Sequence, residues 1–139
     1  MATKLNPYLN FNGNCEEAFN FYKKAFGGDF TMVVRSDETP MEVAENEKNR
    51  VMYIELPIGE NDKLMGSDIF ESLGQKLTTG NHNYVSISVD SKAEADRLFH
   101  ALSEGGEIEM PMEEQFFGYF GDFKDKFGIS WMIIFEEGK

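Results

Sequence analysis

"NCEEAFNFYKKAFGG", residues 14–28, is a helix with both of its ends written into it. Asn14 stands at a capping position, and Glu17 three residues later completes a capping-box pattern. Ala18, Phe21, Tyr22, Ala25 and Phe26 recur at helical spacing and predict one apolar face. Gly27-Gly28 supplies the positive φ that ends the helix. The stretch decides the fold because the chain repeats it. "SKAEADRLFHALSEGG", residues 91–106, sets Ser91 with Glu94 and places Ala95, Leu98, Phe99 and Leu102 on one stripe. It closes on Gly105-Gly106. Asn14 and Ser91, Glu17 and Glu94, and Ala18 and Ala95 are each 77 residues apart, with one residue inserted before the second glycine pair.

The flanking sequence repeats as well. "KLNPYLNF" (4–11) precedes the first helix and the alternating "YVSISVD" (84–90) precedes the second. Strand-like runs follow each: "DFTMVV", "RVMYIELPI" and "KLMGSDI", then "GEIEMPM", "EQFFGYFGDF" and "ISWMIIFEE". Each half reads strand–helix–strand–strand–strand, a period too long for a solenoid repeat. The expected fold class is therefore α+β. Two tandem βαβββ modules, 4–71 and 83–136 joined by connector 72–82, form a curved, mostly antiparallel sheet around a cleft. All 139 residues make one domain. Residues 36–50, charged and Pro-containing, read as a mobile solvated loop with a short helix turn, a lid over the cleft being the alternative.

Composition narrows the partners. A net charge of −12 repels phosphate backbones and anionic membranes, so neither nucleic acid nor membrane is an expected partner. No apolar stretch reaches 18 residues and the N-terminus lacks a signal peptide's apolar core, which points to the cytoplasm. A single cysteine, Cys15, excludes an intrachain disulfide and a Cys-based zinc cluster. Neither His82 nor His100 has an evident relation to it, so Cys15 reads as structural.

The strings "YLNFNGNCEEAFNFYKKAFGG", "LPIG", "LMGSD", "SISVDSKAEADRLFHALSEGG" and "DKFGISWM" resemble, in this order, the PhnB-like branch of the vicinal oxygen chelate superfamily. That superfamily holds glyoxalase I, extradiol dioxygenases, and fosfomycin- and bleomycin-resistance proteins. The resemblance spans roughly residues 5–136. It implies paired βαβββ modules and a homodimer, and it implies no single reaction, because the fold hosts catalysts and binding proteins alike.

Metal-using members place a ligand on the first and last strand of each module. The resemblance carries these onto Pro7, Glu55, Tyr84 and Met132, and the 77-residue offset relates Pro7 to Tyr84 and Glu55 to Met132. Only Glu55 suits Ni, Zn, Mn or Fe(II), so no metal and no other cofactor is expected. The alternative is a divalent metal with His82 as a displaced ligand. By alternation Leu9, Tyr53, Ser86 and Ser130 share the cleft face, with Phe117 and Tyr119 from the aromatic run.

Glu55, one acid in the apolar "VMYIELPIG" (51–59), is the candidate catalytic residue. Burial among rings would raise its pKa and suit a general base, while a fixed carboxylate would hold a cationic or hydroxylated ligand. Nothing supplies an oxyanion hole or a nucleophile–base pair. The reading is therefore a small-molecule-binding protein without a catalytic metal, with a glyoxalase- or dioxygenase-type lyase, isomerase or oxygenase as the alternative. Members of this branch are often labelled demethylubiquinone methyltransferases. The glycine pairs here end helices and do not follow strands, so they do not support methyl transfer from S-adenosylmethionine.

Overall fold

The computed structural model describes residues 3–138. The chain divides into two compact units between Thr78 and Thr79. Each is a βαβββ module with its own four-stranded mixed sheet.

The first unit runs β1 (Tyr8–Phe11), α1 (Cys15–Phe26), β2 (Met32–Arg35), β3 (Val51–Ile58) and β4 (Asp62–Asp68), in sheet order β1-β4-β3-β2. β1 lies parallel to β4, and the other two pairings are antiparallel. Helix α1 carries the chain from one sheet edge to the other. Its buried stripe is Cys15, Ala18, Phe19, Tyr22 and Ala25. Phe19 thus belongs to the core, whereas the expected Phe21 and Phe26 are only half-buried. The Phe11, Phe19 and Tyr22 rings meet edge-on or tilted, 5.5–6.5 Å apart. Burial stabilises each by about 2–3 kcal/mol. Gly66 of β4 lies directly under Phe19, where a Cβ would sit 2.6 Å from the ring.

The expected capping box of α1 does not form. Asn14 makes no capping bond through its side chain. The buried Asp68, at the end of β4, caps the helix instead. One of its oxygens accepts from the amides of Gly13 (2.8 Å) and Cys15 (3.0 Å), and the other accepts from Val51 (2.9 Å). Burial, with the charges of Asp68 and Glu16, pushes the Cys15 thiol far up, so it stays an inert core group.

Residues 36–50 are also better anchored than their composition suggests. They contain two 3-10 turns, Ser36–Glu38 and Glu45–Glu47. The Ser36 hydroxyl donates to the carbonyls of Glu47 (2.8 Å) and Lys48 (2.7 Å). The carboxylate of the buried Glu47 accepts from the Glu71 amide (2.9 Å) and the Ser72 hydroxyl. A charged side chain turned inward, not a solvated one, holds this loop.

The second unit runs β5 (Val85–Val89), α2 (Lys92–Ser103), β6 (Glu107–Gln115), β7 (Gly118–Lys124) and β8 (Ser130–Phe135), in order β5-β8-β7-β6. Here the local cap does form, the Ser91 hydroxyl accepting from the Glu94 amide at 3.1 Å. Ala95, Leu98, Phe99 and Leu102 are buried as their spacing predicts. Phe99 packs edge-on against Phe123 at 5.1 Å. Trp131 is fully buried and donates its indole N–H to Asp125 at 2.8 Å. The aromatic run is two strands and not one, because Phe116 and Phe117 form a tight turn before Gly118, whose φ is +146°.

Candidate functional site

Alternation in each sheet separates a face against the helix from an open face. In the first module Leu9, Ile54 and Gly66 share a register row, and Gly66 lies against Phe19 of α1. The next row belongs to the opposite face and reads Tyr8–Met65–Glu55–Met32 across the sheet. Leu9 therefore turns into the core with Phe11, and Tyr8, not Leu9, shares the face of Glu55. Pro7 lies exposed ahead of β1, and its carbonyl accepts from the Met65 amide at 3.0 Å. Tyr53 lies on the open face, stacked on Tyr8 with ring centroids 6.2 Å apart.

Glu55 is surrounded by donors. It accepts from the Tyr53 hydroxyl and from Thr31 Oγ1 at 3.0 Å, and Lys63 Nζ approaches to 3.4 Å. Tyr53 first, then Thr31 and Lys63, hold its carboxyl below the usual range against a smaller desolvation effect. In turn, burial and the bond to Glu55 push the Tyr53 phenol up to about 12. The expected rise in the Glu55 pKa is thus reversed. Three donors outweigh partial burial, and Glu55 is a fixed anion.

The second module repeats the row as Ser86–Met132–Asp122–Met110. Glu55 lies on the third strand of its module and Met132 on the fourth of the other, so these two are not counterparts. Met132 corresponds to Met65, and Glu55 to Asp122. Across these rows the offset is 78 residues at Tyr8–Ser86 and Met32–Met110 but 67 at Glu55–Asp122 and Met65–Met132, because the connection over residues 36–50 is matched by only residues 116–117 in the other module. Tyr84 stands just before β5 with its hydroxyl donating to Glu109 at 2.9 Å, and Ser86 is exposed. Tyr119 turns toward α2 and donates to Asp96 at 2.7 Å. Phe117 lies in the hairpin turn against the Phe116 and Phe120 rings.

Sequence reading missed Asp122, which is 5% exposed. Burial first, then its hydrogen bond to the charged Glu109, push its carboxyl up to about 6 against a smaller pull from the Met110 amide. A bulge between Ile108 and Met110 leaves Glu109 as the extra residue of β6, beside Asp122. Asp122 and Tyr84 in turn lower the Glu109 carboxyl. Below about pH 6, therefore, Asp122 holds a proton that Glu109 accepts. A cavity of about 210 Å³ adjoins Glu109, lined in part by Asn81, Tyr84, Glu107, Lys124 and Ser130. The signal was an acid inside a strand-like apolar run, "GYFGDF", the same signal that marked Glu55.

The donor set does not fit the divalent metal of the superfamily's enzymes. Among the described residues no three of His, Cys, Asp or Glu gather as metal ligands. The carboxylate of Glu55 is already engaged by two hydroxyls and by an ammonium that would oppose a cation. Also among the described residues, no helix is long and apolar enough to cross a membrane.

Comparison with known proteins gives a consistent set of matches. The model of a family described as 3-demethylubiquinone-9 3-methyltransferase matches residues 3–134. Protein YjdN of Escherichia coli K12 is 31% identical over 136 residues, covering 93% of this chain and 92% of its own. The crystal structure of protein PA1353 from Pseudomonas aeruginosa is 39% identical with a TM-score of 0.88, covering 97% of this chain and 98% of that one. A PhnB protein from Bacillus cereus is 26% identical with a TM-score of 0.76, covering 96% and 99%. A glyoxylase/bleomycin resistance protein/dioxygenase domain from Frankia shares 14% identity and a TM-score of 0.69 over 99% of both chains, a likeness of fold alone.

Proposed function

The chain belongs to the PhnB-like, 3-demethylubiquinone-9 3-methyltransferase family within the glyoxalase/bleomycin-resistance/dioxygenase superfamily, and on that premise we propose that it binds a small molecule without transforming it. The observation that carries this reading is the fixed charge of Glu55 on the open face of the first sheet. Exposed Tyr8 and Met32 share its row, Met65 lies between, and Tyr53 stacks alongside. Such a surface suits a flat or apolar molecule that carries a neutral hydrogen-bond donor. A carboxylate held low by three donors is a weak base, which argues against proton abstraction.

Two further features weigh against the reaction in the family's description. The turn after β1 is Asn12-Gly13-Asn14 and that after β5 is Asp90-Ser91, and neither is the glycine-rich strand-to-helix turn of a nucleotide-type cofactor site. Gly27, Gly28 and Gly105 have positive φ but lie at helix ends. The same reading takes the protein as a homodimer, which light scattering on the purified chain checks.

The test is a fragment and metabolite screen by thermal shift on the full chain, with Glu55→Gln run beside it. Hits should bind about tenfold more weakly to the variant, with no product formed over hours. Equal binding by both proteins overturns the assignment of Glu55. Turnover that depends on added Ni, Zn, Mn or Fe(II) overturns the binding reading in favour of a glyoxalase- or dioxygenase-type enzyme.

A further inference from the structure

We propose that Asp122, Glu109 and the Tyr84 hydroxyl form a second binding site, for a small organic cation bearing an alkylammonium or guanidinium group, at the cavity of about 210 Å³ in the second module. This goes beyond the reading of Glu55, because every residue in it belongs to the second unit.

The first observation is an acceptor in need of a donor. Asp122 is 5% exposed, and its Oδ1 is buried without a hydrogen-bond partner among the described residues. Buried acceptors are nearly always satisfied, so an orphan calls for a group that donates to it. The second observation is where it lies. Asp122 shares a sheet face with Lys124 and, across β8, with Ser130, both of which line the cavity. It is also hydrogen-bonded to Glu109, another lining residue. Its carboxyl therefore adjoins the cavity through Glu109.

Charge sets the ligand's sign. Glu107 and Glu109 face the cavity from β6 and Lys124 from β7, with the Tyr84 phenol ahead of β5. Facing Asp122, β8 brings only the neutral Ser130 and Met132. Three acids oppose one ammonium, so anions are repelled. Ile108, which is exposed, supplies apolar wall for a short carbon chain. With two lining carboxylates, Glu107 and Glu109, the site is short of a metal's usual ligand count, whereas an ammonium's N–H donors match Glu109 and the Tyr84 oxygen beside Asp122. In the free protein below about pH 6, Asp122 holds a proton toward Glu109. The cation takes its place and the proton leaves to solvent, so binding strengthens as pH rises.

The experiment follows amide NMR shifts of the full chain during titration with n-butylammonium chloride and with the neutral n-butanol. It is run below about pH 5 and above about pH 7, on either side of the pair's titration. Expected are butylammonium shifts centred on Met110, Asp122 and Tyr84, with affinity about tenfold higher at the upper pH, and none with butanol. Asp122→Asn should remove most of this affinity and its pH dependence. Glu109→Gln, at an exposed position, should do the same and keeps the test open if Asp122→Asn does not fold. No butylammonium shifts at either pH, equal affinity for butanol, or full affinity in both variants overturns the proposal. Neither substitution touches Glu55, so such a failure leaves the first-module reading standing.

Discussion

Glu55 and Asp122 occupy equivalent places in two sheets built to one plan, yet their charge states are governed in opposite ways. In the first module a phenol, a threonine hydroxyl and a lysine converge on the carboxylate and keep it ionised. In the second, burial and a neighbouring carboxyl hold the proton on the acid up to about pH 6. The helix N-termini differ just as much. α1 is capped from a distance by Asp68, on the last strand of its sheet, while α2 is capped by Ser91, the residue next to it. The repeat thus fixes the backbone route and leaves the polar chemistry free to diverge. Divergence of this kind is what permits one fold to hold different sites.

The strongest way to break the comparison is through the two caps. Asp68→Ala leaves three buried or part-buried amides without a partner and should lower stability by about 3 kcal/mol in urea unfolding. Ser91→Ala removes one bond at a half-buried site and should lower it by about 1 kcal/mol. Equal losses would mean that Asp68 is not the structural centre its geometry implies.

The acids themselves give a smaller effect with opposite signs. The Glu55 pKa is lowered in the fold, so its contribution is present at neutral pH and fades as pH falls below 4.5. Glu55→Gln should therefore lower Tm at neutral pH and change it little in acid. The Asp122 pKa is raised from 3.8 to about 6, so its contribution is full below 3.8 and lost as pH rises through about 6. Asp122→Asn should raise Tm by a few degrees above that pH and leave it nearly unchanged near pH 4. Melting both variants across the range checks this, and parallel curves would refute the contrast.

Much of this was legible in the sequence because helix periodicity and glycine stops are local signals. Ala95, Leu98, Phe99 and Leu102 lie where their spacing puts them, and the two βαβββ modules follow. What was not legible depends on pairing between distant strands. Whether Tyr8 or Leu9 faces the open side turns on a one-residue register that a four-residue strand beginning after a proline does not announce. The counterpart of Glu55 was hidden because one module joins its second and third strands through residues 36–50 and the other through a two-residue turn. Asp68 as a cap, Glu47 as a loop anchor and the bulge at Glu109 all rest on contacts far along the chain, for which no local pattern exists.

The smallest expected effect is also the sharpest probe of the contrast, since it removes one oxygen from each module. Tyr53→Phe keeps the ring that stacks on Tyr8 and deletes the hydroxyl that bonds Glu55. Thr31 and Lys63 remain, so the fold should hold and the Glu55 carboxyl should move only part of the way back toward its ordinary range. Tyr84→Phe deletes the hydroxyl on Glu109. That carboxyl does not titrate alone, because the proton it gives up is the one it shares with Asp122. Losing the Tyr84 bond makes Glu109 a better proton holder, so the proton should move from Asp122 toward Glu109. Carboxyl-carbon NMR across the titration separates the two cases. Tyr53→Phe should shift one carboxyl, Glu55, and Tyr84→Phe should shift two, Glu109 up and Asp122 down. A single shifted carboxyl in Tyr84→Phe would show that the two acids are independent, and the second module would then differ from the first only in burial.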